Sequence, residues 1–415
     1  MADREDRLDP DGIRHDGVSF YPADAQRLQS YMRAGQELSQ FQVPVLIHEG
    51  NPHERLFVAC FDGTGNDENK DPEHKTNVAK INDQIRSNHN PNIEARYVAG
   101  PGTQNAWLAR TVDGATGGTY DARIEQMYKL FIDKAKEWHR QDPQAEIRVV
   151  ATGFSRGAEQ AAGFARLVQE RGIQDRAGAA YTKDADGFIT HVDYTKPPLV
   201  TPGQVAQAEA LFDPVGTGHP YAHDRRPPPS VISGFQVMAE DERRAKFKSD
   251  HIIDPGLSPD GRFLGVAVAG AHSDVGGSYH RDGLAVRSDN LMIDYLNALS
   301  DKPFLARSPE PDDPRLNVVH RSEEGMLLYR LDNKVDRQQP EGYNERLVPR
   351  ASHLFGLVHR ERPGVADPYN AEPRDEALSQ QFERQTVQTG PNPPPPIADA
   401  PARAAAPGRS LDEAF

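Results

Sequence analysis

Only one cysteine, Cys60, occurs in this chain of 415 residues. No internal disulfide can form, so the fold need not mature in an oxidising compartment. Cys60 sits in the apolar run LFVACF, the setting of a buried, inert thiol rather than a reactive one. Long apolar runs are missing too. No stretch approaches the ~18 apolar residues of a spanning helix; the longest, FLGVAVAGA at 263–271, is strand-length. The opening residues, MADREDRLDPDGIRHDG, are charged and contain no apolar segment of the Sec type. The expectation is a chain made soluble in the cytoplasm, which would need another export route to act outside the cell. Positive charge is in deficit, with 48 Lys and Arg against 62 Asp and Glu and a net charge of −14. That balance argues against a nucleic-acid partner and against simple electrostatic docking on anionic lipid, and it leaves apolar insertion into a membrane open.

The length exceeds the usual range of a single core and points to one large domain with insertions, or two. Residues 1–54 form a lead-in. PADAQRLQSYMRAGQELSQF suits an amphipathic helix with Leu28, Tyr31, Met32 and Leu38 near one face, and VPVLIHEGNP suits an edge strand. From 55 to 299 short apolar runs alternate with helix-like segments: RLFVACF, EARYVAG, EIRVVATG, AQAEALF and FLGVAVAGA against TYDARIEQMYKLFIDKAKEW and GAEQAAGFARLVQERG. Nearly continuous apolar strands separated by helices predict an α/β fold whose mostly parallel central sheet is covered on both faces. Polar, Pro- and Gly-bearing stretches at 173–200 and 218–260 read as insertions. Residues 300–375 read as a C-terminal extension forming a lid, and 376–415 as a disordered, proline-rich tail.

The stretch ATGFSRGAEQ places Ser155 between Gly153 and Gly157, after a predicted strand and before a predicted helix. A nucleophile elbow needs that context: a strained turn whose glycines allow close backbone approach, and a helix N-terminus aimed at the developing negative charge. Ala158, Ala161, Ala162, Ala165 and Val168 give the helix its apolar face, and Gly172 its stop. In parallel sheets functional groups collect past the carboxyl ends of strands. AQAEALF ends at Asp213 and FLGVAVAGA ends at His272, so the chain order is Ser155, Asp213, His272, that of an α/β-hydrolase triad. Asp274 is the rival orienting acid, disfavoured because it would have to fold back onto its own loop. The loop after LFVACF supplies one oxyanion donor, the backbone of Gly63 or Thr64; the other is the backbone of Arg156. Asp62 reads as a turn former.

The motifs FDGTGND…TNVAKI, YVAGPGT, GFSRGA, FDPVG, AEDERRAKF and GAHSDVGGSY occur in the order seen in the α/β-hydrolase domain of type VI secretion phospholipase effectors, which this chain resembles over roughly 56–299. The resemblance implies a Ser-Asp-His triad on Ser155, Asp213 and His272 and a secreted antibacterial phospholipase acting on rival membranes. It implies as partners membrane phospholipid, a component of the type VI secretion apparatus and a cognate immunity protein, with the target-cell periplasm as destination; the proline-rich tail would also suit export by a type IV antibacterial system. DPV replaces the family's DTV at 213–215, and little room is left for a membrane-anchoring module. The alternatives are a carboxylesterase for small soluble esters and a non-catalytic binding module on the same fold. No cofactor is required by serine chemistry. Asp67, Asn69 and Asp71 alternate like the start of a calcium loop, but Pro72 stands where the sharp-turn glycine belongs and no Glu closes the loop.

Overall fold

The strand ERLFVACF, β1 (Glu54–Phe61), is buried along its whole length. Its side chains alternate between two apolar clusters, Leu56, Val58 and Cys60 in one and Phe57, Ala59 and Phe61 in the other. A strand apolar on both faces is stable only with a layer on each side. The computed structural model, which describes residues 7–63, 75–100, 118–185, 187, 189–216, 223–325, 327–344, 347 and 371–390, supplies both layers. β1 is joined by β2 (Ile93–Val98), β3 (Glu146–Phe154), β4 (Gln207–Phe212), β5 (Val231–Ala239), β6 (Gly256–Leu257) and β7 (Phe263–Val268) in one seven-stranded sheet of order β6-β7-β5-β4-β3-β1-β2. Pairing is parallel except at the β6–β7 edge. This is the α/β fold with a mostly parallel central sheet anticipated from the alternating pattern.

One face carries α1 (Ala25–Leu38), α2 (Asn77–Ser87) and α6 (Gly283–Asn297), which bury Tyr31, Leu38, Val78, Ile81, Met292 and Leu296. The other carries α3 (Gly118–Gln141) and α4 (Arg156–Arg171), which bury Met127, Phe131, Ala161 and Phe164. Apolar spacing on α4 holds as read: Ala158, Ala161, Ala162, Ala165 and Val168 are all fully buried. Cys60 is likewise buried. Among the described residues no helix is long and apolar enough to cross a membrane.

Several expectations are corrected. The stretch 218–260 is not wholly an insertion, because VISGFQVMA forms β5, fully buried between β4 and β7. Its flanks, RRPPPS and EDERR, lower the local hydropathy and hide it. The expected edge strand lies outside the central sheet. Gln42–Pro44 pairs antiparallel with Arg384–Thr386, in a stretch assigned to the tail. Residues 376–390 are thus packed, with α8 (Glu376–Ser379) and a buried Val387. Met32 is 40% exposed, off the buried face that Tyr31, Ala34 and Leu38 define.

Glu209, in the middle of β4, has no hydrogen-bond partner for either carboxylate oxygen among the described residues. Burial pushes its carboxyl up to about 8, against partial compensation from Arg262 and Arg166. The folded state therefore keeps a proton that the unfolded chain gives up near its ordinary value of 4.5. Stability from this group is full below that value and falls by roughly 1.4 kcal/mol per pH unit up to the folded value. Glu209→Gln removes the linkage. Thermal melts of wild type and variant at pH 5 and pH 8 should show the variant gaining much more at pH 8; an equal difference at both would sink this reading.

Candidate active site

Ser155 joins the end of β3 to the start of α4, with φ 61° and ψ −126°. That backbone is sparsely populated by any side-chain-bearing residue and survives only where the surroundings impose it. They do so here. Ser155 N–H donates to Phe212 O at the end of β4 (3.0 Å), and Val215 N–H donates back to Ser155 O (3.4 Å). A Cβ on Gly153 would lie 2.3 Å from Gly157 O, and one on Gly157 would lie 2.2 Å from Phe61 O. The two glycines therefore let the turn close on itself and press against the end of β1. The serine side chain makes no capping bond to its helix.

The same hydrogen bonds place Asp213 beside this turn, itself at φ 40° and fully buried. Asp213 Oδ2 lies 2.5 Å from His272 Nδ1. Its Oδ1 accepts from Ala239 N (3.0 Å) and from Arg337 Nη1 (2.5 Å). Burial alone would raise this carboxyl. The Arg337 charge and the His272 contact outweigh it and hold Asp213 below the usual carboxylate range. His272 opens α5 (His272–Gly276) after β7, with its ring 4.5 Å from that of Phe154, the residue preceding Ser155, and 5.2 Å from that of Phe247. Burial, with Arg244 and Arg337, depresses the imidazole below 6.5 despite the opposing pull of Asp213. A Cβ on Gly276 would collide with the Phe154 ring at 2.0 Å, so the glycine of HSDVG seats the histidine loop on the elbow.

Asp274, the rival acid, is committed elsewhere. Its Oδ1 meets His320 Nδ1 at 2.5 Å, and its Oδ2 accepts from the backbone N–H groups of Ala271 (2.8 Å) and His320 (2.9 Å). His320 also meets Asp16 of the lead-in (3.0 Å). Burial works against its charge, but the two carboxylates prevail and raise it to about 9. α1 holds the end of β7 as well: Ser30 Oγ accepts from Ala269 N and Tyr31 Oη donates to Ala269 O. The lead-in, read as a mere approach to the domain, thus braces the loop that carries His272.

Asp62 acts as a turn former, accepting from Gly63 N (2.7 Å), Thr76 Oγ1 (2.8 Å) and Tyr97 Oη (2.5 Å). The Gly63 N–H is therefore engaged within its own loop. Thr64, and the calcium candidates Asp67, Asn69 and Asp71, lie outside the described residues. Among the described residues no group of His, Cys, Asp and Glu is arranged to hold a metal. Arg156 is the first residue of α4. Sequence reasoning missed Arg337, Arg244 and Glu242. The last accepts from Arg244 Nε (2.9 Å) and from His272 N (3.3 Å). AEDERRAKF was visible as a motif but gave no sign of which charges turn inward.

Residues 55–198 match the family model described as T6SS, Phospholipase effector Tle1-like, catalytic domain. No curated protein matches the chain. Solved structures similar to it include an uncharacterized protein from Pseudomonas aeruginosa, at 17% identity over 68% of this chain and 50% of that one, with a TM-score of 0.39. The Tle1 effector bound to the VgrG spike of the type 6 secretion system is 20% identical over 54% and 51%, with a TM-score of 0.35. Thermogutta terrifontis esterase 2 is 16% identical over 64% and 91%, with a TM-score of 0.29. The chain spans about half the length of the first two.

Proposed function

We propose that this chain, whose residues 55–198 match the Tle1-like catalytic domain of type VI secretion phospholipase effectors, is a serine hydrolase of glycerophospholipid esters. The observation that carries the reading is the pairing of His272 Nδ1 with Asp213 Oδ2 beside a serine held at positive φ on a strand-to-helix turn. With Nδ1 committed to the carboxylate, Nε2 takes the Ser155 proton as Oγ attacks the ester carbonyl. Asp213 fixes the tautomer and stabilises the imidazolium. The oxyanion is received by the backbone N–H of Arg156 at the start of α4. His272 then protonates the leaving alcohol, and water, deprotonated by the same Nε2, releases the fatty acid and restores Ser155. No step needs a cofactor.

Lipid is the preferred substrate class because the family match is to a phospholipase effector domain. Export through a secretion apparatus to a rival cell's periplasm, and a cognate immunity protein over the site, belong to the same reading. Small soluble esters form the second reading, favoured by the low exposure of Ser155 (5%) and His272 (4%). Liposomes and short-chain nitrophenyl esters, each incubated with wild type and Ser155→Ala, separate the two. Free fatty acid and lysophospholipid, detected by mass spectrometry with wild type alone, are expected. Turnover of the nitrophenyl esters only would shift the conclusion to small esters, and turnover of neither would end the enzymatic reading.

A further inference from the structure

Arg337 lies 124 residues beyond Asp213, in the C-terminal extension, yet only 8% of it is exposed. Its guanidinium spans three segments. Nη1 donates to Asp213 Oδ1 (2.5 Å) and to Ala239 O at the end of β5 (3.0 Å). Nε and Nη2 both donate to Phe247 O (3.1 and 2.6 Å). Phe247 in turn sets its ring edge-on to His272 and to Tyr329 of α7 (Leu327–Leu331), while Arg244 lies over the Phe247 ring. The segment is anchored further where Tyr343–Asn344 pairs with Ser249–Asp250.

We propose that Arg337 is a positioning residue of the hydrolytic site, holding Asp213 in the plane of His272 and Phe247 against the imidazole, so that the acid–base pair is complete only with the extension seated. This rests on the hydrolase reading above. A carboxylate bonded through one oxygen alone can swing about its Cβ–Cγ bond. Asp213 is fixed at both, with Oδ1 on Arg337 and Ala239 N and Oδ2 on His272. A rigid fork suits this task better than a point charge, because two carbonyls and a carboxylate are met at set angles. The cation also acts at a distance on the base. The charged groups facing His272 are Asp213 at the end of β4, Glu242 and Arg244 after β5, and Arg337 from the extension. Asp274, on His272's own helix, is taken by His320. Two cations near the ring favour its neutral form, so wild-type activity should persist as pH falls and be lost only below 6.5, as the imidazole gains its proton.

The test uses the full chain and a short-chain nitrophenyl ester, with kcat and kcat/KM measured across pH. For Arg337→Gln, a rise of ~1 pH unit in the acidic limb is expected, with at least a ~10-fold loss of kcat at the optimum. Arg337→Lys keeps the charge and loses the fork, so its limb should stay near wild type while kcat falls ~3- to 10-fold. A folded Arg337→Gln with wild-type limb and kcat would overturn the proposal. Should that variant not fold, Arg337→Lys with undiminished kcat would do so equally. A lost rate with an unmoved limb in folded Arg337→Gln also counts against it, because a merely structural arginine would give that result. Failure of the hydrolase reading is distinct: wild type would then show no turnover dependent on Ser155.

Discussion

Replacing Ser155 by alanine is expected to lower ester hydrolysis by at least ~10³-fold while moving the melting temperature by no more than a few degrees. The two halves of this expectation come from different parts of the geometry. In the proposed mechanism rate is lost because the hydroxyl oxygen is the atom that bonds to the acyl carbon. Stability is kept because the serine side chain makes no capping hydrogen bond, and the positive φ belongs to the backbone, which alanine inherits. Ser155→Gly separates strain from chemistry. It should be equally inactive but more stable by about 1 kcal/mol, because glycine adopts φ 61° without a steric penalty. Measured kcat/KM and calorimetric melts of the three proteins check both halves. A Ser155→Ala protein retaining a tenth or more of the wild-type rate would remove Ser155 from the mechanism.

Gly157→Ala should have the largest effect on stability of any single methyl addition at the elbow. The new Cβ would lie 2.2 Å from Phe61 O and 2.6 Å from Asp62 O. Both obstacles are backbone. β1 is hydrogen-bonded on each side, to β3 and β2, so it cannot step aside without breaking pairing within the sheet. A loss of about 3 kcal/mol is expected, or roughly 3–5 °C in melting temperature for a chain of this size. Activity should fall with it, because any relief moves the turn that carries Ser155. Gly35→Ala is the contrasting case. In α1 the nearest atom to its Cβ is Leu291 Cδ2 at an ordinary 3.9 Å, and alanine there should stabilise the helix by up to about 1 kcal/mol. Equal melting temperatures for the two variants would mean that the elbow is not pressed against β1.

Local chemistry and pattern carried much of this fold in the sequence. β1, β3 and β4 read as apolar runs because they are buried on both faces, and the G-x-S-x-G turn could be placed because a strand and a helix flank it. Asp213 and His272 were reachable by one rule, the ends of parallel strands, and they lie together in the structure. Illegible were contacts made across long stretches of chain. β5 is as apolar as β4, but prolines before it and charges after it obscured it. The pairing of Gln42–Pro44 with Arg384–Thr386 depends on residues more than three hundred positions apart, next to a proline-rich stretch that suggested disorder. Arg337 sits in DNKVDRQQP, where nothing local distinguishes a guanidinium buried on a carboxylate from one in solvent. Asp16 and His320 likewise become a clamp only once Phe20–Pro22 pairs with Val318–His320.

Reaction with a fluorophosphonate, which bonds only to a serine activated by a base, probes the nucleophile without reference to any substrate. Peptide mass analysis of the treated wild-type chain should find a single adduct, on the peptide containing GFSRGA and mapped to Ser155, with labelling abolished in His272→Ala. An unlabelled wild type, or an adduct on another serine with Ser155 untouched, would contradict the assignment of this turn as the hydrolytic centre.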